Sequence, residues 1–174
     1  MVSKPTLIID TKERELQWDF DGDNDFLDIK HYKMKTGDYT LEGYEHLITI
    51  ERKASPDELF ANFGDAKVKA RLHREARRMV KMPHKFVIVE CTLDEIASPA
   101  SYYVNRAKRN RQSPFMPPAV VIQNLNSFML DYDIHVIFAG LKGKSIAKKI
   151  LLGLHERYQK GHLNVEAATH KSQS

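Results

Sequence analysis

Three charged residues, Glu51, Arg52 and Lys53, follow directly on the short apolar run at residues 47–50. Because side chains alternate along a strand, Glu51 and Lys53 are expected on one face and Arg52 on the other. A carboxylate and an ammonium group placed two residues apart can hold a divalent cation and an anionic oxygen side by side. The same Glu-x-Lys spacing also occurs at many solvent-exposed strand ends, so more context is needed to assign chemistry to it.

Two further carboxylates are expected to meet this strand end. Asp38 precedes Glu51 by 13 residues, and Asp10 ends a short apolar run of its own. Three carboxylates at strand ends form an oxygen-rich site, which hard cations such as Mg²⁺ and Mn²⁺ prefer. Such a site supports phosphodiester hydrolysis, because a bound metal lowers the pKa of a water molecule and Lys53 can stabilise the charge of the transition state.

The hydrophobic pattern predicts the elements that would position these residues. Apolar or alternating runs predict strands at residues 6–10, 27–35, 45–53, 86–90 and 134–138, with the second joined to the third through the glycines at 37 and 43. Helical periodicity and capping signals predict helices that begin after Ser55 and at residues 66–81, 92–96, 119–131 and 145–160. Strands followed by alternating helix and strand predict an α/β domain, with a mixed central β-sheet flanked by helices on both faces.

The sequence around the charged triplet resembles a known family. The segments "GDY" and "ERKASPD" are similar to the motif GD(x)nERKx3D of the XPF-type structure-specific endonuclease domain. Upstream, "LIIDTKERELQWDF" resembles the opening strand of that family, and downstream "ARLHREARRMVKMPHKFVIVE" resembles its helix and following strand. The resemblance covers residues 5–92. It implies a restriction-endonuclease-like PD-(D/E)xK nuclease fold and Mg²⁺- or Mn²⁺-dependent cutting of branched, flapped or forked DNA during repair, recombination or replication.

The resemblance also implies roles for individual residues. The metal-binding carboxylates would be Asp10, Asp38 and Glu51, and Lys53 would be the catalytic lysine. The remaining motif positions are Arg52, which would orient the site, Asp57, which would tie the next helix to it, and the early glutamate Glu13. Lys12 stands where the family usually has arginine, so a bidentate contact at that position is in doubt.

The distribution of charge favours a polyanionic partner. Residues 1–66 contain 15 acidic and 8 basic residues, whereas residues 67–174 contain 8 acidic and 19 basic ones. Such separation suits a chain that gathers carboxylates around a cation and holds DNA beside them. The residues expected to contact DNA are Lys67, Arg71, Arg74 and Arg78 on a basic helix, and Arg106 and Arg109 in a segment that also carries tyrosines.

Length and composition predict one nuclease domain over residues 1–162 and a polar, flexible tail over 163–174. No helix–hairpin–helix module is expected. In this respect the chain resembles a stand-alone phage or prokaryotic member of the family. Junction selectivity would then come from the domain itself, from a homodimer or from a separate DNA-targeting partner. With one cysteine, no secretory signal and no apolar run of membrane-spanning length, the chain is expected to be intracellular, and cytoplasmic if prokaryotic or phage-encoded.

Other functions remain open at this stage. The chain could be a catalytically inactive DNA-binding or scaffold member of the same fold, although the motif carboxylates and lysine are all present. It could also be a four-way-junction resolvase, whose catalytic residues would be the same. The segment that ends in Gly143-Lys144-Ser145 lacks the earlier glycine of a phosphate-binding loop, so no nucleotide is expected as a ligand.

Overall fold

The computed structural model describes residues 2–13, 17–64, 66–99 and 116–164. The strands in these ranges are β1 (Thr6–Asp10), β2 (Asp28–Tyr32), β3 (Tyr39–Leu41), β4 (Ile48–Lys53), β5 (His84–Val89) and β6 (His135–Phe138). The α-helices are α1 (Pro56–Gly64), α2 (Ala66–Met79), α3 (Leu93–Ala97), α4 (Pro118–Tyr132) and α5 (Gly143–Gln159). The predicted elements are therefore recovered, with bounds that shift by a few residues.

The strands form a single mixed sheet in the order β2-β1-β3-β4-β5-β6. β3 pairs antiparallel with β1 and with β4, while β2 runs parallel to β1, and β4, β5 and β6 run parallel to one another. The two antiparallel ladders, on either side of β3, therefore lie between the parallel pair at one edge of the sheet and the three parallel strands at the other. The prediction of a mixed central sheet is confirmed.

Successive side chains along the strands pack into two separate hydrophobic cores, one on each face of the sheet. Val87 and Val89 of β5 pack with apolar residues of α1, α2, α3 and α4. Ile88, between them, belongs to the second core, which contains residues of β1, β3 and β4 together with Ala147 and Leu151 of α5. Helices therefore cover both faces, as predicted, and the strand ends remain available at the rim.

The second predicted strand does not pair with the strand that follows it in the prediction. Residues 27–35 do not form a hairpin with the strand that carries the charges, because β2 is a parallel edge strand beside β1. The short strand β3 lies between β1 and β4 instead. The strand expected from residue 45 begins at Ile48, because the carbonyl of Tyr44 accepts hydrogen bonds from the amides of Leu47 and Ile48 in a turn, both at 2.9 Å.

Local capping follows the sequence signals. The amide of Glu58 donates to Ser55 Oγ over 3.3 Å at the start of α1, and Thr92 and Glu95 form a capping box at the start of α3. Within the part of the chain that the structure describes, no helix is both long and apolar enough to cross a membrane. Most of the predicted tail, residues 165–174, lies outside the described residues, so the domain boundary stays a prediction.

Gly37 fixes the entry into β3. Its φ is +74°, and a Cβ built there would lie 2.0 Å from the Oγ1 of Thr49, a fully buried residue of β4. The next residue, Asp38, donates its amide to the carbonyl of Ile50 over 2.8 Å. Only a residue without a side chain permits this approach, and the approach places Asp38 against β4.

Gly37→Ala is expected to destabilise the fold by about 3 kcal/mol, because it combines left-handed backbone strain with a clash in a packed region. For a chain of this length, that corresponds to a decrease of about 10 °C in melting temperature. The matched control is Gly22→Ala, since Gly22 has the same φ of +74° with no atom within 4 Å of the added Cβ. The control should cost about 1 kcal/mol, from strain alone. Equal losses in thermal melts of the two variants would contradict the proposed clash.

Candidate active site

A pocket of about 320 Å³ opens where β3 and β4 meet the N-terminal part of α1 and the middle of α2. Most of its wall is charged. The lining residues are Lys12, Glu13, Lys35, Thr36, Gly37, Asp38, Glu51, Arg52, Lys53, Glu58, Arg71, Glu75 and Arg78.

Lys53 is the buried cation of this pocket. Its side chain is 7% exposed, and its Nζ lies 2.7 Å from Glu51 Oε1 and 3.3 Å from Glu58 Oε1. Burial alone would lower the pKa of Lys53, but the attraction of Glu51 and Glu58 outweighs it and raises the pKa above its ordinary value. Lys53 therefore stays charged at neutral pH, and its contact with Glu51 follows from the alternation of β4.

Asp38 is a half-buried carboxylate in the same pocket. Its Oδ2 accepts the amide of Arg52 over 2.7 Å, which fixes the carboxylate beside β4. Burial, followed by repulsion from Glu51 and Glu13, raises the pKa of Asp38 well above its ordinary value. Carboxylates therefore lie close to one another on this side of the pocket, although its lining as a whole has six basic and five acidic residues.

Arg52 contacts a different group of side chains, namely Glu90, Glu13 and Trp18. Its Nε donates to Glu90 Oε2 over 2.8 Å and its Nη2 donates to the same oxygen, while its Nη1 lies 3.5 Å from Glu13 Oε2. The guanidinium carbon also lies 5.4 Å from the centroid of the Trp18 ring, and the Trp18 indole donates to the other oxygen of Glu90. Arg52 thereby holds Glu13 at the pocket wall, where burial raises the pKa of that carboxyl.

Glu90 and its neighbours were not anticipated from the sequence. Glu90 follows β5 and meets Arg52 only because β4 and β5 are adjacent. Gly143, the first residue of α5, approaches this network so closely that an added Cβ would lie 2.9 Å from Glu90 Oε1 and from the Trp18 ring. The glycine of the Gly-Lys-Ser segment therefore has a packing role. A polar residue directly after a buried strand was the available signal for Glu90.

Asp10 lies buried beside the pocket, outside its lining. It is 1% exposed, its Oδ1 accepts the amide of Lys12 over 2.8 Å, and its Oδ2 accepts the amide of Met34 over 2.9 Å. It does not line the pocket, although its backbone amide donates to the carbonyl of Asp38. These contacts tie the end of β1 to the segment before β3. The metal-binding role of Asp10 stays a prediction.

Asp57 does not line the pocket either, although it lies in the first turn of α1, next to the pocket wall. The adjacent Glu58 reaches in instead. Its Oε2 accepts the amide of Ala54 over 2.9 Å, and its Oε1 contacts Lys53. The motif spacing pointed to Asp57. That Glu58 is the residue at the pocket depends on the direction in which α1 leaves β4.

The basic helix α2 contributes two of its predicted residues to the pocket. Arg71 and Arg78 line it together with Glu75, and Arg78 Nε donates to the carbonyl of Lys35 over 3.1 Å. Lys67 and Arg74 are exposed on α2 but do not line the pocket. Arg106 and Arg109 lie outside the described residues.

The candidate ligands suit a magnesium-like cation, although they do not form a complete cage. Within residues 2–13, 17–64, 66–99 and 116–164, no group of three or more His, Cys, Asp or Glu side chains is arranged to hold a metal ion. Mg²⁺ usually binds through one or two carboxylates and completes its shell with water and substrate phosphate. Asp38 and Glu51 provide two such carboxylates. Burial is the main cause of the raised pKa of Asp38, and a bound cation would offset the repulsion from Glu51 and Glu13 that adds to it.

Comparisons with known proteins identify the family and the fold of this chain. The ERCC4 domain model matches residues 9–142. XPF from Aeropyrum pernix in complex with DNA superposes with a TM-score of 0.51 at 19% identity, covering 88% of this chain and 66% of that chain. A second structure of XPF from Aeropyrum pernix superposes with a TM-score of 0.57 at 18% identity, covering 92% of this chain and 65% of that chain. A comparison with curated protein sequences gives no match.

The two structural matches show that the fold is shared, with a restriction-endonuclease-like arrangement of sheet and helices, and this chain spans about two thirds of each XPF chain. The family match includes the end of β1, all of β3 and β4, and every residue that lines the pocket. Because that match extends over more than half of the sequence, this chain belongs to the ERCC4 domain family of XPF-type nuclease domains.

Proposed function

We propose that this chain is a divalent-metal-dependent endonuclease that hydrolyses phosphodiester bonds in branched, flapped or forked DNA. The observation that carries the proposal is the buried contact between Lys53 Nζ and Glu51 Oε1 in the pocket that also contains Asp38. Membership of the ERCC4 family and the fold shared with an XPF solved in complex with DNA support it.

Each group in the pocket has a role under this proposal. Asp38 and Glu51 would hold Mg²⁺ or Mn²⁺, which when bound supplies an activated water and charge neutralisation at the scissile phosphate. Lys53, kept charged by its neighbours, stabilises the negative charge that develops on the phosphate oxygens. Arg52 positions Glu13 through its contacts with that residue and with Glu90.

The surface of α2 supports DNA as the substrate. Arg71 and Arg78 lie at the pocket wall and Lys67 and Arg74 extend the exposed basic surface beyond it. Contacts of this kind with backbone phosphates need no base-specific geometry. Recognition of the DNA strand near the cut is therefore assigned to α2.

A homodimer is also proposed as a source of junction selectivity. The observation in its favour is a shallow apolar depression of about 360 Å³, lined by Phe86, Ile146, Ile150 and Leu154 along with two basic residues. Light scattering on the purified chain is expected to give a mass near twice its 20.1 kDa. A monomer at all concentrations would instead assign selectivity to a separate partner.

Lys53→Ala and Glu51→Gln are each expected to lower the cleavage rate at least about 100-fold, because each removes a group that acts on the transition state. Affinity for DNA should stay within a factor of about three, since phosphate contacts on α2 remain. The measurement is cleavage of labelled flap, fork and four-way-junction DNA with Mg²⁺, with Mn²⁺ and with EDTA, alongside anisotropy for binding and a thermal melt for folding.

The matched control is Glu156→Gln, because Glu156 is an exposed glutamate on α5 that pairs with Lys160. Cutting at the wild-type rate by both pocket variants would rule out the proposed site. Binding without cutting by the wild-type protein under every metal condition would favour the inactive scaffold. The relative rates on flaps, forks and junctions separate flap cleavage from junction resolution.

Asp38→Asn is expected to stabilise the metal-free protein at neutral pH. Because the folded-state pKa of Asp38 is raised, the folded chain binds the proton more tightly than the unfolded chain. Stability is therefore lost as pH rises from the ordinary aspartate pKa through the raised one. Asparagine removes this loss and can still accept the amide of Arg52.

Thermal melts in EDTA and in millimolar Mg²⁺ test this expectation without any measurement of cleavage. Mg²⁺ should raise the melting temperature of the wild-type protein, because a ligand that binds the folded state stabilises it, and should raise that of Asp38→Asn much less. The control is Asp131→Asn, which changes an exposed aspartate of α4 and should respond to Mg²⁺ as the wild type does. An equal response of Asp38→Asn and the control would remove Asp38 from the metal site.

A further inference from the structure

A second and larger pocket adjoins the candidate active site. Its volume is about 590 Å³, within the range of pockets that hold small ligands. Lys35, Thr36 and Arg78 line both pockets, so the two cavities are continuous along one surface. None of the residues that are particular to the second pocket belongs to the family motif described above.

The interior of this second pocket is apolar. Met34 is 8% exposed, and Met82 and the ring of Tyr32 complete the apolar lining. Tyr32 Oη donates to Glu45 Oε1 over 2.8 Å, which fixes the tyrosine at the pocket wall. Burial and the neighbouring Glu45 raise the pKa of Tyr32 to about 12, so the hydroxyl stays neutral. Methionine sulfur and a fixed aromatic ring are surfaces on which a flat ring packs well.

The rim of the pocket is cationic. Lys33, Lys35, Lys81 and Arg78 are all exposed lining residues. The carboxylate among the lining residues, Glu45, accepts the hydroxyl of Tyr32. An apolar interior with a cationic rim complements a ligand that has a flat apolar ring and an attached anion. A nucleotide has that combination.

We propose that this methionine pocket, defined by Tyr32, Lys33, Met34, Lys81 and Met82, binds an unpaired nucleotide of the DNA strand that crosses the active site. The base would pack against the methionines and Tyr32. Lys35 and Arg78, shared by the two pockets, would hold the connecting phosphate. The position of this nucleotide next to the cut bond rests on the nuclease function proposed above.

The pocket gives the domain its own means of selecting branched DNA. A base in a perfect duplex must be unstacked and unpaired before it can enter a pocket, whereas a base in a flap or fork is already free. The methionine pocket should therefore favour DNA with unpaired nucleotides.

Tyr32→Ala tests the proposal through binding in EDTA, where cleavage does not interfere. Anisotropy is measured with a labelled flap duplex and with the fully paired duplex of equal length. We expect Tyr32→Ala to weaken binding of the flap DNA about tenfold, which is within the range measured for loss of one base–aromatic stack. Binding of the paired duplex should change less than twofold.

Two further variants keep the test independent of folding defects. Lys81→Ala changes an exposed residue and should weaken flap binding while reducing its salt dependence. Leu130→Ala, which alters an exposed leucine of α4 away from both pockets, is the control and should bind both DNAs as the wild type does. Flap DNA with 2-aminopurine at the unpaired position should change its fluorescence with the wild type and not with Tyr32→Ala.

Equal losses for flap and paired DNA, or no loss for either, in variants that melt as the wild type does would overturn the methionine pocket. The two proposals fail in different ways. A protein that cuts DNA but whose preference for flaps is unchanged by Tyr32→Ala retains the nuclease function and loses the pocket. A protein that shows the Tyr32-dependent preference in binding but never cuts retains the pocket and loses the nuclease function.

Discussion

The structure depends on one constraint: several carboxylates of like charge lie close together beside the buried ammonium group of Lys53. Glu51 and Glu58 contact Lys53 directly, and Asp38 lies close enough for Glu51 to raise its pKa. Buried charges are costly unless they are paired, so each of these groups needs a fixed neighbour. The antiparallel pairing of β3 with β4 provides that fixity for Asp38, whose carboxylate accepts a β4 amide. A site of this kind is stable only inside a rigid sheet.

The surrounding elements can be understood as supports for this arrangement. Gly37 allows the chain to turn against β4 and brings Asp38 into position. One carboxylate oxygen of Asp10 accepts the amide of Met34 and holds the segment that leads to β3, while the other accepts the amide of Lys12. On the other side of β4, Arg52 joins Glu13 to Glu90, and Gly143 leaves room for α5 to cover that network. Elements distant in sequence therefore share one task, which is to hold these charged groups in fixed positions.

The sequence predicted the parts of the site that depend on local pattern. Alternation along a strand was sufficient to pair Glu51 with Lys53, and charge at helical spacing was sufficient to place Arg71 and Arg78 on one helix. The contact of Asp10 with Met34 could not be predicted, since it depends on where the backbone of Met34 passes. The strand β3 was also missed, because three residues are too few for a periodic signal. Contacts such as Arg52 with Glu90, 38 residues apart, exist only once the sheet order is known.

The Glu51–Lys53 contact also constrains how this fold can change over time. Removing one member of a buried ion pair leaves an uncompensated charge and costs about 3–5 kcal/mol, whereas replacing both members by apolar residues is often neutral. The first case would remove a substantial share of a domain's stability, which is about 5–15 kcal/mol. A lineage that abandons this chemistry is therefore expected to lose glutamate and lysine together. Copies of the fold that retain one without the other should be rare, and should carry a compensating change at Glu58.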